Sequence, residues 1–309
     1  MLWYIGRRLL QMIPVFLGAT LIVYLMAFYT SGDPILALAG DKPISPSVEQ
    51  QLREQYNLDQ HVLVQWLLYL KSVLTFDLGV GFNGRPIWDQ IAAAFPTTMR
   101  LAIIAVVVES IFGIIAGVIS GLRKGKLIDT TLLMLSLLLI ATPTFVLGFL
   151  AQFVFGLQLG ISPINVGRDP SWVNLLLPGF VLGGVSFAYV LRLTRTSIAE
   201  TATADHVRTA TAKGLTRGGV VSRHILRNSL IPVVTFIGAD LGALMGGAIV
   251  TERVFNIPGI GTLLFSSITS GEAPMIVSLV TLLVIIFLLS NLVVDLLYGL
   301  LDPRIRYAK

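Results

Sequence analysis

The chain has 309 residues, 55% of them hydrophobic and only 13% charged, against about 25% charged in soluble domains, so a chain with a mean hydropathy of +0.83 must be solvated by lipid. The absence of cysteine excludes disulfides, thiolate metal ligands and a Cys nucleophile, and His61, His206 and His224 are too scattered for a metal site built from one local segment. A net charge of +5 would suit nucleic acid, but the basic residues fall in loops between apolar runs, which suits membrane orientation instead.

A bilayer core takes about 20 residues of apolar helix. Six stretches are long enough: 9–30, 98–122, 127–157, 173–193, 230–251 and 275–298. Arg7 and Arg8 would suit the charged end of a signal peptide, but the first stretch is too long and no A-x-A site follows. An uncleaved anchor is expected. The connection 31–97 is too long for a turn and is expected as a helical extracytoplasmic insertion. Within it SPSVEQQLREQY reads as a helix, with Ser45 as N-cap and Pro46 at the first position. A second helix is expected from His61 to about Thr75, with Val62, Trp66, Leu67 and Leu70 as its apolar stripe. Gly79, Gly81 and Gly84 then mark an irregular segment. The insertion either caps the outer membrane surface or docks an external protein.

In the second span Gly113, Gly117 and Gly121 recur every four residues, and in the fifth span Gly238, Gly242 and Gly246 do the same. Each ladder lets another backbone approach closely, either as ordinary helix packing or as a face that slides or lines a passage. Pro143 predicts a kink or tilt in the third span. Glu109 and Asp240 lie inside spans, where an ionisable group needs a partner or a wet cavity, and their depth would suit coupling to an ion. Asp295 lies nearer the inner boundary. Putting the N-terminus inside places most of the 22 Lys and Arg on cytoplasmic pieces, including Arg123, Lys124, Lys126 and the run from Arg192 to Arg227. Both termini are then cytoplasmic, and acids such as Asp33, Asp41, Glu49, Glu54 and Asp59 lie outside.

No engine is readable in the chain. GLRKGKL at 121–127 fails as a phosphate loop, because its glycines are four apart rather than five and Leu127 stands where Ser or Thr should hold magnesium. PGIGTLL at 258–264 has Leu264 where a dinucleotide loop needs its third glycine. Neither H-E-x-x-H nor G-x-S-x-G occurs. No catalytic residue and no metal ligand is expected.

The most water-loving run, DHVRTATAKGLTRGGVVSRHILRN, lies between the fourth and fifth spans. As a helix over 204–213 it presents Val207, Ala210, Thr211 and Gly214 along one small-residue side, with Asp205 and Arg208 at the edge. Gly214 is placed to end that helix in a left-handed cap. After a turn at 216–219 a second basic helix leads to Leu230, and Pro232 falls near the start of the fifth span. Three readings stay open: a solvated loop that only orients the protein, a patch for lipid headgroups, and a short helix that fits a partner's cleft.

The residues carry a resemblance. VRTATAKGL followed by RHILRNSLIPVV resembles the cytoplasmic "EAA" loop of permease subunits in ABC importers. The order RRLLQMIPVFLG, SGDP, YNLDQ, FDLGVGF, PTT, ATPTF, TERVFNIPGIG and DLLYGLLDPRIR extends it over nearly the whole chain. By these motifs the chain is similar to the first permease of the dipeptide/oligopeptide/nickel importer family. The sequence departs from the pattern where Arg208-Thr209-Ala210 replaces Glu-Ala-Ala and where His206 replaces a common aromatic.

The resemblance implies an all-α membrane protein with six transmembrane helices and the type I ABC importer permease fold. It divides the chain into an N-terminal end with the first span (1–30), the insertion (31–97), a permease core (98–300) with a coupling loop at 194–229, and a cytoplasmic tail (301–309). The implied partners are a second homologous permease, two cytoplasmic ATPases that bind ATP and magnesium, and an extracytoplasmic substrate-binding protein, all at a bacterial plasma membrane. This chain itself would bind no cofactor. Asp205, Val207, Arg208, Ala210, Thr211, Ala212, Lys213, Gly214 and Leu215 are then the expected contacts with an ATPase groove, and the small-residue side is the expected point of force transmission. The implied cargo is short peptides, with nickel chelates or another small solute as the alternative. Two further readings compete, a secondary transporter driven through Glu109 and Asp240, and a subunit that only anchors a binding protein through the insertion.

Overall fold

The computed structural model describes residues 2–30, 35, 45–167 and 170–301. The SGDP motif at 31–34, Asp33, Asp41 and the tail at 302–309 lie outside the described residues. Among the described residues the fold is all-helical, apart from one isolated bridge between Val80 and Pro86.

Helix α1 is Leu2–Leu25, continued by a π-helical turn over Met26–Thr30, and α2 and α3 are Pro46–Gln55 and Val62–Leu74. The long α4 is Ile87–Leu122, followed by α5 at Leu127–Ala141 and α6 at Thr144–Ala151, which runs into a π-helical turn at Gln152–Gln158. Next come α7 at Leu176–Thr201, α8 at Asp205–Ala212 and α9 at Arg217–Val220. A π-helical turn at Val221–Leu226 joins α9 to α10 at Arg227–Phe255, and α11 (Ile260–Thr269) and α12 (Ala273–Leu301) complete the order.

Among the described residues five helical stretches are long and apolar enough to cross a membrane: Ile5–Tyr29, Ile87–Leu122, Leu176–Thr201, Arg217–Phe255 and Ala273–Leu296. A sixth exists only as the pair Leu127–Ala141 and Thr144–Gln158, bent by 106°. The expected kink at Pro143 is therefore a full break. Proline pushes the preceding residue out of the helical region, and Thr142 is extended at ψ 124°. Pro96 does the opposite of what its type suggests. It lies inside α4, which starts at Ile87 rather than at residue 98. Pro232 is likewise interior to α10, with the widened turn at Val221–Leu226 just ahead of it, so the fifth span and the expected second basic helix form one path. Hydropathy marks only the greasy middle of each helix. The polar ends, such as Asp89 and Gln90 or Arg195 and Glu200, continue the hydrogen-bond ladder beyond it.

The chain divides into two compact units, the first formed by Met1–Thr98 with Pro258–Leu288 and the second by Met99–Ile257 with Leu289–Lys309. In the first unit Ser45 caps α2 through Val48 N–H (3.4 Å), and His61 caps α3 through Leu63 N–H (3.4 Å). The α3 stripe differs from expectation. Leu67 is exposed, and the most buried residue is Gln65 (3%), which accepts from the Tyr24 hydroxyl (3.1 Å) and donates to the Gln60 carbonyl (2.8 Å). Tyr69 donates to Thr281 at 2.6 Å. Gln65 and Tyr69 thus turn inward where their polar groups find partners. Phe82 N–H donates to Glu272 at 2.8 Å, and a Cβ on Gly81 would collide with the same carboxylate, which ties the irregular segment to the start of α12.

In the second unit the core runs from Leu101, Ala105 and Val108 of α4, through Val181 and Leu182 of α7, to Leu244, Ala248 and Phe255 of α10. Gln152 holds the turn after α6 by donating to the carbonyls of Ile164 (2.8 Å) and Val254 (3.0 Å).

Candidate functional site

The local sequence settles how α8 ends. Gly214 adopts φ +79°, Leu215 N–H donates to the Ala210 carbonyl (3.4 Å), and Gly214 N–H donates to that of Thr211 (3.0 Å). Those two bonds together form a Schellman stop. Asp205 sits in the first turn, where the helix dipole favours an acid, with Arg208 at 3.7 Å.

The sides of α8 differ from the expected arrangement. Val207 (6% exposed) and Ala210 (4%) turn inward and pack with Ile198 of α7, Val220 of α9 and Ile225. Thr211 and Gly214 are exposed. The single small-residue side of Val207, Ala210, Thr211 and Gly214 is thus split, because the chain uses its own apolar positions to seat α8 against Ile198 of α7, Val220 of α9 and Ile225 of the turn that follows. The outward surface is polar and basic, carried by Asp205, His206, Arg208, Thr209, Ala212 and Lys213, with Leu215 just past the stop. Beside it opens a cavity of about 540 Å³ lined by Leu122, Lys124, Thr211, Leu215, Arg217 and Ile225, among others.

The first glycine ladder lies against α7. A Cβ on Gly113 would meet Val190 at 2.7 Å, one on Gly117 would collide with Thr194 and lie 2.7 Å from the Leu191 carbonyl, and one on Gly121 would meet Ile198 at 2.7 Å. The partners on α7 thus recur at the ladder's own interval, which is close helix packing. The second ladder divides. A Cβ on Gly238 would meet Val294 of α12 at 2.7 Å, Gly242 is buried, and Gly246 faces open space.

Glu109 of α4 is fully buried, with Asp240 of α10 and Ser186 of α7 as its polar neighbours, and neither of its carboxyl oxygens is in hydrogen-bonding geometry. The two acids that the sequence places in different spans therefore meet where three helices converge.

One cluster was not singled out in the sequence. Asp129, in the first turn of α5, receives Arg195 of α7 in a two-pronged contact, Nε to Oδ1 at 2.6 Å and Nη2 to Oδ2 at 2.8 Å. The same carboxylate accepts from the Ser120 hydroxyl (2.5 Å) and from Gly125 N–H (2.8 Å). Only an unusual Asp within the first turn of an apolar span hinted at it. Among the described residues no group of three or more His, Cys, Asp or Glu could hold a metal ion.

Residues 113–307 match the family described as "Binding-protein-dependent transport system inner membrane component". The chain is 34% identical over 339 residues to the dipeptide transport system permease protein DppB of Escherichia coli strain K12, with all of both chains covered. It is 39% identical over 308 residues to the glutathione transport system permease protein GsiC of Escherichia coli O6:H1, covering 99% of this chain and all of the relative.

Proposed function

The chain belongs to the family of binding-protein-dependent transport system inner membrane components, and from that premise we propose that it is the permease of an ATP-driven importer for short peptides, forming half of the passage and coupled to a cytoplasmic ATPase through α8. It is a non-catalytic, multi-pass membrane subunit. The second half of the passage comes from a homologous permease, the drive from two ATPases, and the cargo from an extracytoplasmic binding protein. The cargo reading rests on relatives named for dipeptide and glutathione transport.

The observation that carries the coupling role is the build of α8. It is short, stopped sharply at Gly214 and seated through Val207 and Ala210 in an apolar cluster with Ile198 of α7, Val220 and Ile225, and its other side is left exposed and polar. A helix seated in this way moves its support when something pushes on it. When the ATPases close on ATP, their grooves carry the two coupling helices together, and the permeases rock from inward-open to outward-open. The shift is driven only by contacts that differ between those states.

The test is uptake by the complete complex in proteoliposomes. Peptide accumulation is expected to require ATP and to persist when a protonophore abolishes the ion gradient. Uptake that collapses with the protonophore at constant ATP would refute this reading and favour ion coupling through Glu109 and Asp240. Transport that survives deletion of residues 204–219 would reduce the chain to an anchor for the binding protein.

A further inference from the structure

We propose that Asp129 and Arg195 are positioning residues that make α4, α5 and α7 respond as one piece when α8 is displaced, and so set how much peptide is moved per ATP. The inference rests on the coupling role proposed for α8.

The argument starts from the carboxylate. Asp129 is 2% exposed and both its oxygens are doubly engaged: Oδ1 by Ser120 and Arg195 Nε, Oδ2 by Gly125 N–H and Arg195 Nη2. The four contacts come from three places, namely the last turn of α4, the turn that follows it, and α7. A buried ion pair is a poor device for stability alone, since apolar side chains of similar volume usually serve as well. A planar fork against a carboxylate instead supplies direction, and it fixes the rotation of one helix relative to the other.

Its location gives that direction a use. Arg195 lies one turn before Ile198, the α7 residue that packs with Val207 and Ala210 of α8. On the neighbouring side of α7, Gly113, Gly117 and Gly121 of α4 meet Val190, Thr194 and Ile198. A push on α8 therefore reaches Ile198 through the apolar cluster that it shares with Val207, Ala210, Val220 and Ile225. The ladder passes it to α4, and the Arg195 fork passes it to α5. Without the fork α7 could turn or slide while α5 stayed behind, and ATP would be spent on an incomplete movement.

The experiment compares wild type with Ser120→Ala, Arg195→Lys and Asp129→Asn in the reconstituted complex, reading peptide taken up per ATP hydrolysed. Arg195→Lys keeps the charge and loses the fork. It is expected to lower that ratio about fivefold, the low end of coupling between sites, with the amount of bound ATPase unchanged. Ser120→Ala should fall between it and wild type, and Asp129→Asn below both. A wild-type ratio in both Arg195→Lys and Ser120→Ala overturns the proposal, even if Asp129→Asn fails to assemble.

A second readout is independent of transport. The chain has no native cysteine, so spin labels at Lys124→Cys and Thr203→Cys report the distance between the turn before α5 and the end of α7. One narrow distance is expected with Arg195, and a broadened one with Lys. Wild-type complexes that show no ATP-driven uptake would refute the proposed function. The label distance would then decide the Asp129–Arg195 contact by itself, with an unchanged narrow distribution in Arg195→Lys counting against it.

Discussion

Gly214 illustrates how one residue can matter without being crowded. A Cβ added there meets nothing within 4 Å, yet the backbone sits at φ +79°. An L side chain at that angle costs about 1–2 kcal/mol, and Asn tolerates it best among non-glycine residues. Two explanations for a damaging substitution therefore predict opposite orders. If space were limiting, Gly214→Ala would be milder than Gly214→Asn. Because the backbone is limiting, uptake by the complete complex should fall less in Gly214→Asn than in Gly214→Ala, with Gly214→Leu lowest. An order with Ala ahead of Asn would show that crowding by a partner, and not the helix stop, is what Gly214 avoids. Ala210 acts through the opposite cause. It is packed among Ile198, Val220 and Ile225, so a bulky replacement overpacks the chain's own seat for α8, by about 1–3 kcal/mol.

At the scale of elements, the two glycine ladders look alike in sequence and serve different contacts. A Cβ added at Gly117 would lie 2.7 Å from the Leu191 carbonyl, and a backbone carbonyl cannot rotate away, so Gly117→Leu must part α4 from α7. Gly246 faces open space within this chain. Thermal unfolding of the purified protein should show Gly117→Leu melting well below wild type and Gly246→Leu melting with it. Equal melting of Gly117→Leu and wild type would mean that the α4–α7 contact bears little load. The spacing of glycines, the stop at Gly214 and the cap at Ser45 were all legible, because each is a local constraint on a few neighbouring residues. The start of α4 was not, since a proline ten residues into a helix reads locally as a boundary. The inward turn of Val207 and Ala210 was hidden for a different reason: which side of α8 is buried depends on Val220 and Ile225, beyond its own stop. Asp129 with Arg195 is the extreme case, two residues 66 apart whose pairing no periodicity announces.

For the whole molecule the physical question is which way the chain is threaded, and we propose the direction that the cost of moving Lys and Arg across the membrane during insertion favours. The polar surface of α8, with His206, Arg208 and Lys213, and the turn with Arg123, Lys124 and Lys126 both fall on the side that the basic excess assigns to the cytoplasm. The same rule predicts an external position for the segment joining α2 to α3, where Asp59 and Gln60 are exposed. The lack of native cysteine makes this directly measurable. In intact cells stripped of their outer barrier, a membrane-impermeant maleimide should label Gln60→Cys at once and leave Lys213→Cys untouched until the inner membrane is opened. ATPase subunits bound at α8 should then slow labelling of Lys213→Cys even in opened membranes, because that residue belongs to the outward side of the helix and not to its seat. Labelling of Lys213→Cys from outside would reverse the threading and remove α8 from the reach of any cytoplasmic hydrolase. Unchanged labelling with and without the ATPases would leave the threading intact but move their contact away from this surface.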